Sequence, residues 1–196
     1  MAGRSAVIER TTAETWVRLE LGLDGPAGGN LATSLPFLDH MLAQLQRHGQ
    51  FFLEVKASGD LEVDVHHLIE DVGITLGMAL DQALGDRRGI ERFGEATVPL
   101  DESLVQTVID FSGRSYLGFF PEALEIVGAP GAFNAYHLRE FLRGMCQHAR
   151  LTLHLRVLAG QEAHHVIEAS FKSLARALRQ ATRITRSDLP STKESI

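Results

Sequence analysis

Apolar residues recur along this chain at two periods. Val65, Leu68, Ile69, Val72, Leu76 and Ala79 or Leu80 follow three- and four-residue steps, as do Ile167, Phe171, Leu174 and Leu178. Such stripes are the apolar faces of amphipathic helices, and both open on His-His-x-x-Glu, at His66 and at His164. A period of two runs through Leu151, Leu153, Leu155 and Val157, alternating with Thr152, His154 and Arg156, and marks a half-buried strand. Phe51 to Lys56 takes the equivalent place earlier in the chain, and Thr15 to Leu21 is a further strand candidate. Leu38 to Arg47 and Leu138 to Gln147 read as helices preceding those strands. Proline-containing glycine clusters, Gly25 to Gly29 and Gly128 to Gly131, punctuate loops.

The two sets of elements belong to an internal repeat. HMLAQLQRHGQFFLEV, from His40 to Val55, lines up without gaps on EFLRGMCQHARLTLHL, from Glu140 to Leu155. Two loop residues are then lost, and HHLIEDVGITLGMALDQAL (His66 to Leu84) meets HHVIEASFKSLARALRQAT (His164 to Thr182). Each half, about 10–92 and about 93–184, is too small to hold much core alone, so the two should pack as one pseudo-symmetric domain over 1–196, with a tail at 185–196. Strands and helices mix without a regular βαβ alternation. The pattern therefore predicts an α+β fold with helices on one face of a largely antiparallel sheet.

At 196 residues with 44% hydrophobic and 22% charged, the chain has the composition of a globular protein, which excludes disordered and fibrous readings. Nineteen Lys and Arg against 25 Asp and Glu give a net charge of -6, unfavourable for a nucleic-acid partner. A single cysteine, Cys146, cannot form an intramolecular disulfide; with neither a charged-then-apolar leader nor a membrane-length apolar run, the expectation is a cytoplasmic protein without a membrane partner.

The nine histidines change the picture, because they cluster. Residues four apart on a helix share a face, so His66 with Glu70, and His164 with Glu168, can present an imidazole and a carboxylate to one point. Adjacent histidines point about 100° apart and would serve different ions. His40, His66, His67 and Glu70, with Glu140, His164, His165 and Glu168, make eight candidate ligands at repeat-equivalent positions, enough for two ions. Imidazole and carboxylate without thiolate suit a divalent transition metal and leave Mn, Fe, Co and Zn open. His137, His148 and His154 read as ordinary polar residues.

LDHMLAQLQRHGQF, HHLIEDVGITLG, RFGEATVPLDESL, DFSGRSYLGF, LTLHLRVLAG and HHVIEASFKSLARALRQAT, in this order, closely resemble the imidazoleglycerol-phosphate dehydratase family of histidine biosynthesis, over about Arg10 to Lys193. The resemblance implies a hydro-lyase that converts imidazoleglycerol phosphate to imidazoleacetol phosphate with two Mn2+ per active site. It also implies helices packed between two mainly antiparallel four-stranded sheets, and an octahedral homo-oligomer whose active sites lie between subunits. Carried over by position, the metal ligands are the eight residues named above. Glu140 departs from the pattern, standing where many members have histidine; His137, one turn away, is a weaker substitute because it breaks the repeat register.

For the chemistry, the resemblance points to Glu14 as acid/base, with Glu168 or Glu70 as the competing assignment, and His48 as a proton donor to the leaving hydroxyl. If metal ions hold the ring nitrogens, an imidazolate can expel that hydroxyl and leave a diazafulvene-like intermediate. Arg92, Arg114 and Lys172, with Ser191, Thr192 and Lys193 in the tail, match substrate-contacting positions suited to a phosphate. Asp101 and Glu102 read as structural residues or as supports for the groups around them, outside the catalytic set. Two ions with Arg and Lys would also suit a phosphate-ester hydrolase, and a metal-binding protein without activity would need only the histidines.

Overall fold

The computed structural model of the chain describes residues 3–120 and 126–193. The described elements run β1 (Ser5–Thr11), β2 (Thr15–Gly22), β3 (Leu31–Ala32), α1 (Pro36–Gly49), β4 (Phe52–Gly59), α2 (His66–Leu84), β5 (Phe93–Leu100), β6 (Ser103–Asp110), β7 (Tyr116–Phe120), α3 (Ala135–Ala149), β8 (Thr152–Ala159) and α4 (Ala163–Thr182). They form two four-stranded sheets of the same topology, β1-β2-β4-β3 and β5-β6-β8-β7. Each joins an antiparallel hairpin to an antiparallel third strand and a parallel edge, β3 on β4 and β7 on β8.

The absence of a regular βαβ alternation holds, with a single crossover in each half, where α1 links parallel neighbours β3 and β4, and α3 links β7 and β8. The two-residue β3 is too short to show a period. Helices cover one face of each largely antiparallel sheet, as the pattern predicts. α2 packs on β1 and β2 and against α3, which reaches β7; α4 packs on β5 and β6 and against α1. The helices form a layer between the sheets, in which those of one half pack against those of the other.

Alternation along the central strands fills that layer. Val17, Leu19 and Leu21 of β2, Leu53 and Val55 of β4, and Leu153 and Leu155 of β8 are buried, facing Leu38, Leu42, Ile69, Val72, Phe141 and Phe171 from the helices. Where α2 meets α3 there is room for no side chain at two positions. A Cβ on Gly73 would stand 2.4 Å from the Phe141 carbonyl oxygen, and one on Gly77 would stand 2.5 Å from that of Met145. The gain in helix propensity from Gly73→Ala, at most about 1 kcal/mol, is outweighed by forcing two backbones apart. Overpacking of this kind costs about 1–3 kcal/mol, so we expect Gly73→Ala to lower the denaturant midpoint while Met78→Ala, on the exposed side of the same helix, leaves it nearly unchanged.

Local signals set the helix ends that carry the histidines. Asp64 Oδ1 accepts from His66 N at 3.0 Å, and Glu162 Oε2 accepts from His165 N at 2.9 Å. These carboxylates satisfy first-turn N–H groups and favour the positive ends of α2 and α4. α3 opens with a capping box in which the Asn134 side chain accepts from His137 N and His137 Nδ1 accepts from Asn134 N.

One large charged side chain lies wholly inside. Arg87 is 1% exposed; its Nη2 donates to Asp81 Oδ1 at 2.7 Å and to the Ala149 carbonyl at 2.8 Å, and its Nη1 to the Arg150 carbonyl at 3.1 Å. It ties the loop after α2 to the end of α3. Among the described residues no helix is long and apolar enough to cross a membrane.

Candidate metal centre

The packing of α1 on α4 assembles a donor cluster from both halves. His40 Nε2, from α1, stands 3.1 Å from Glu168 Oε2, and His164 Nε2, one turn before Glu168 on α4, stands 3.2 Å from the same oxygen. All three donor atoms lie within 4.8 Å of one another. The other oxygen, Glu168 Oε1, takes an ion pair from Lys172 Nζ at 2.7 Å. Burial works to raise the Glu168 carboxyl, but Lys172 and His40 outweigh it and hold it below its ordinary range, so it is an anion at neutral pH.

The equivalent packing of α2 on α3 builds a different cluster. His66 Nε2 lies 3.4 Å from Glu70 Oε2, as the four-residue spacing requires. Glu140, the repeat counterpart of His40, instead receives Arg143 at Nε (2.8 Å) and Nη2 (2.6 Å), and the same Nη2 reaches Glu70 Oε1 at 2.7 Å. A guanidinium thus bridges the two carboxylates. His137 lies close by, its ring centroid 6.3 Å from that of His66. Because its Nδ1 accepts a backbone hydrogen bond, its proton sits on Nε2, which leaves that nitrogen no free lone pair.

The second histidine of each pair faces elsewhere. Ring centroids are 5.9 Å apart for His66 and His67 and 6.0 Å for His164 and His165. His67 Nδ1 lies 3.2 Å from both oxygens of Asp60 and 3.8 Å from Glu14 Oε2. His165 Nδ1 lies 2.8 Å from Glu102 Oε2. An ionised carboxylate only accepts, so both imidazoles donate from Nδ1 and keep the Nε2 lone pair free, the state in which imidazole binds metal. The hydrogen bonds to Asp60 and Glu102 push the pKa values of His67 and His165 up. Glu102, which the sequence places outside the catalytic set as a structural or supporting residue, stands here in a supporting place. The signal was there: Thr15 and Ser103 open equivalent strands, so Glu14 and Glu102 occupy matching positions just before them.

The remaining candidates fall into two groups. Arg114 is exposed and makes one weak contact, Nη1 to the Ser112 carbonyl at 3.3 Å; Thr192 and Lys193 are exposed as well. Ser191 is half-buried, and its Oγ accepts from Lys193 N. Arg92 is engaged within the chain. It pairs with Asp110 through Nε (2.7 Å) and Nη2 (3.2 Å), donates from Nη1 to the Pro190 carbonyl at 2.7 Å, and so holds the tail against β6. His48, near the end of α1, borders a cleft with Arg176, Arg179 and Arg183. Burial and the charges of Lys172 and Arg176 push its pKa below the ordinary histidine value, so its ring is neutral at pH 7.

The donor set fits a divalent transition metal. Imidazole nitrogens converge with an ionised carboxylate, further imidazoles have Nδ1 fixed by carboxylates, and His66 Nδ1 is buried without a hydrogen-bond partner. Thiolate plays no part, since burial pushes the Cys146 thiol up to about 12.

Comparison with known proteins gives the family and the fold. Residues 33–178 match the family model described as imidazoleglycerol-phosphate dehydratase. The chain is 68% identical over 190 residues to an imidazoleglycerol-phosphate dehydratase of Thermus thermophilus, covering 97% of this chain and 98% of that one. It is 58% identical over 193 residues to the protein of that name from Deinococcus deserti, covering 98% and 99%. The fold is similar to crystal structures of the dehydratase from Pyrococcus furiosus (TM-score 0.84, 35% identity, 96% of this chain and 100% of that one) and from Staphylococcus aureus (TM-score 0.81, 33% identity, 92% and 99%). By the extent of the model match and the identity of these relatives along nearly its whole length, the chain belongs to the imidazoleglycerol-phosphate dehydratase family.

Proposed function

We propose that the chain removes water from imidazoleglycerol phosphate to give imidazoleacetol phosphate, as a hydro-lyase of histidine biosynthesis that depends on two divalent ions, Mn2+ in our reading. Family membership supports the reaction. The observation that carries the metal dependence is the meeting of His40, His164 and Glu168 from two halves of the fold. His66, His67, Glu70 and His165 would supply the other donors. His67 and His165 are partly exposed, which leaves them open to donors from a neighbouring chain, in keeping with the octahedral homo-oligomer that the family resemblance implies. When bound, such ions would hold the ring nitrogens of the substrate and act as Lewis acids for the electrons that expel the hydroxyl.

The protein's own groups do the rest. Lys172 pins one oxygen of Glu168, and Asp60 and Glu102 fix the tautomers of His67 and His165. Glu14, exposed and beside His67, takes the proton from carbon 2. His48, held neutral, keeps an N–H that donates to the departing hydroxyl, and the proton that Glu14 takes from carbon 2 balances the one the hydroxyl needs to leave as water. Arg114 and Lys193 are exposed and carry the cationic donors that a phosphate dianion needs, and Ser191 and Thr192 precede Lys193 in the tail. Arg92 acts on this group by holding the tail through Pro190.

Purified protein supplied with Mn2+ and imidazoleglycerol phosphate is expected to yield a ketone that retains its phosphate, with chelation abolishing turnover and Mn2+ restoring it. Release of inorganic phosphate would identify a phosphate-ester hydrolase instead.

A further inference from the structure

The two helices that begin with His-His divide their carboxylate oxygens in the same way. On α4, Glu168 Oε1 is held by Lys172 at 2.7 Å while Oε2 faces His164 and His40. On α2, Glu70 Oε1 is held by Arg143 at 2.7 Å while Oε2 faces His66 at 3.4 Å. The two cations do not correspond in the repeat, because Lys172 aligns with Ile74 and Arg143 with Ala43. One half draws its cation from the next turn of the same helix, the other from the helix packed across it. A cation fixed on one oxygen stops the carboxylate from rotating and keeps the other oxygen aimed at the imidazole.

Building on the metal dependence proposed above, we infer that Arg143 is the positioning residue for Glu70, and that Glu140 is the anchor of Arg143 and not a metal ligand. Glu140 is 7% exposed, and its Oε2 takes both Nε and Nη2 of Arg143. Both guanidinium contacts converge on that one oxygen, and among the described residues no group of imidazole and carboxylate donors gathers around Glu140 as it does around Glu168. Three residues that three-residue spacing and helix packing bring together, Glu140, Arg143 and Glu70, thus form a relay in which only the last faces the site.

Metal content and Mn2+ titration of the full-length chain test this. Glu140→Gln, whose amide oxygen still accepts from Arg143, is expected to keep both ions with affinities within about threefold of wild type, whereas the double variant R143M/E140Q, with no carboxylate left to step in, should bind one ion about 10–100-fold more weakly. Arg143→Lys should recover most of that loss. Loss of one ion in Glu140→Gln would make Glu140 a ligand and overturn the inference, and so would unchanged or tighter binding in the double variant. Wild-type protein that bound no ion would overturn the metal reading itself, irrespective of the variants.

Discussion

Glu168→Gln is expected to empty one metal position and reduce turnover about a thousandfold, the several kcal/mol that a Lewis-acid contribution represents at 1.36 kcal/mol per decade. The amide is isosteric, so packing around α4 is preserved and the loss reports charge alone. Two imidazoles, His40 and His164, lose the anion they share, and Lys172 loses its partner at Oε1. Thermal unfolding near that of wild type, combined with elemental analysis showing depleted metal, is the expected pair of results. Full metal content with turnover within tenfold of wild type would exclude Glu168 as a ligand.

The largest effect on stability is expected elsewhere, at Arg87. Arg87→Met keeps most of the volume but withdraws three donated hydrogen bonds from Asp81 and from the carbonyls of Ala149 and Arg150 at the end of α3. Asp81 stays partly exposed and keeps Arg150, so the cost falls on the two carbonyls left without their donor, about 1–3 kcal/mol for each buried one, a large part of a total of about 5–15 kcal/mol. Arg150 pairs with the same Asp81 oxygen at 2.8 Å, but its side chain is half exposed. Arg150→Ala should therefore cost no more than about 1 kcal/mol. Denaturant unfolding of the two variants in parallel checks the contrast; similar midpoints would show that burial at Arg87 contributes nothing special.

How far each feature could be read from the sequence depends on the range of the interaction behind it. The helices opening at His66 and near His164 were legible because an amphipathic stripe is local and the repeat doubles it. The convergence of His40 on Glu168 was not, since it rests on α1 packing across the halves onto α4, a choice made by buried surfaces distant in sequence. β3 and β7 left little trace, as a short edge strand imposes no period. Arg143 left none: alone it is one exposed arginine among many, and its meaning comes from Glu140 three residues back and Glu70 on another helix. Glu102 lay between these extremes: a structural or supporting role could be read for it, but its partner His165 comes from a helix distant in sequence.

The packing of the two halves helix against helix also bears on how this chain arose. A half-length polypeptide could have satisfied the same contacts by pairing with a second copy of itself, each molecule covering the other's exposed stripe and sharing its histidines. Joining the copies end to end would keep that embrace and release each from having to match its twin. The unlike cations at Ile74/Lys172 and Ala43/Arg143 then read as the record of drift since the merger, two ancestral sites once identical and now serving the same end by separate means.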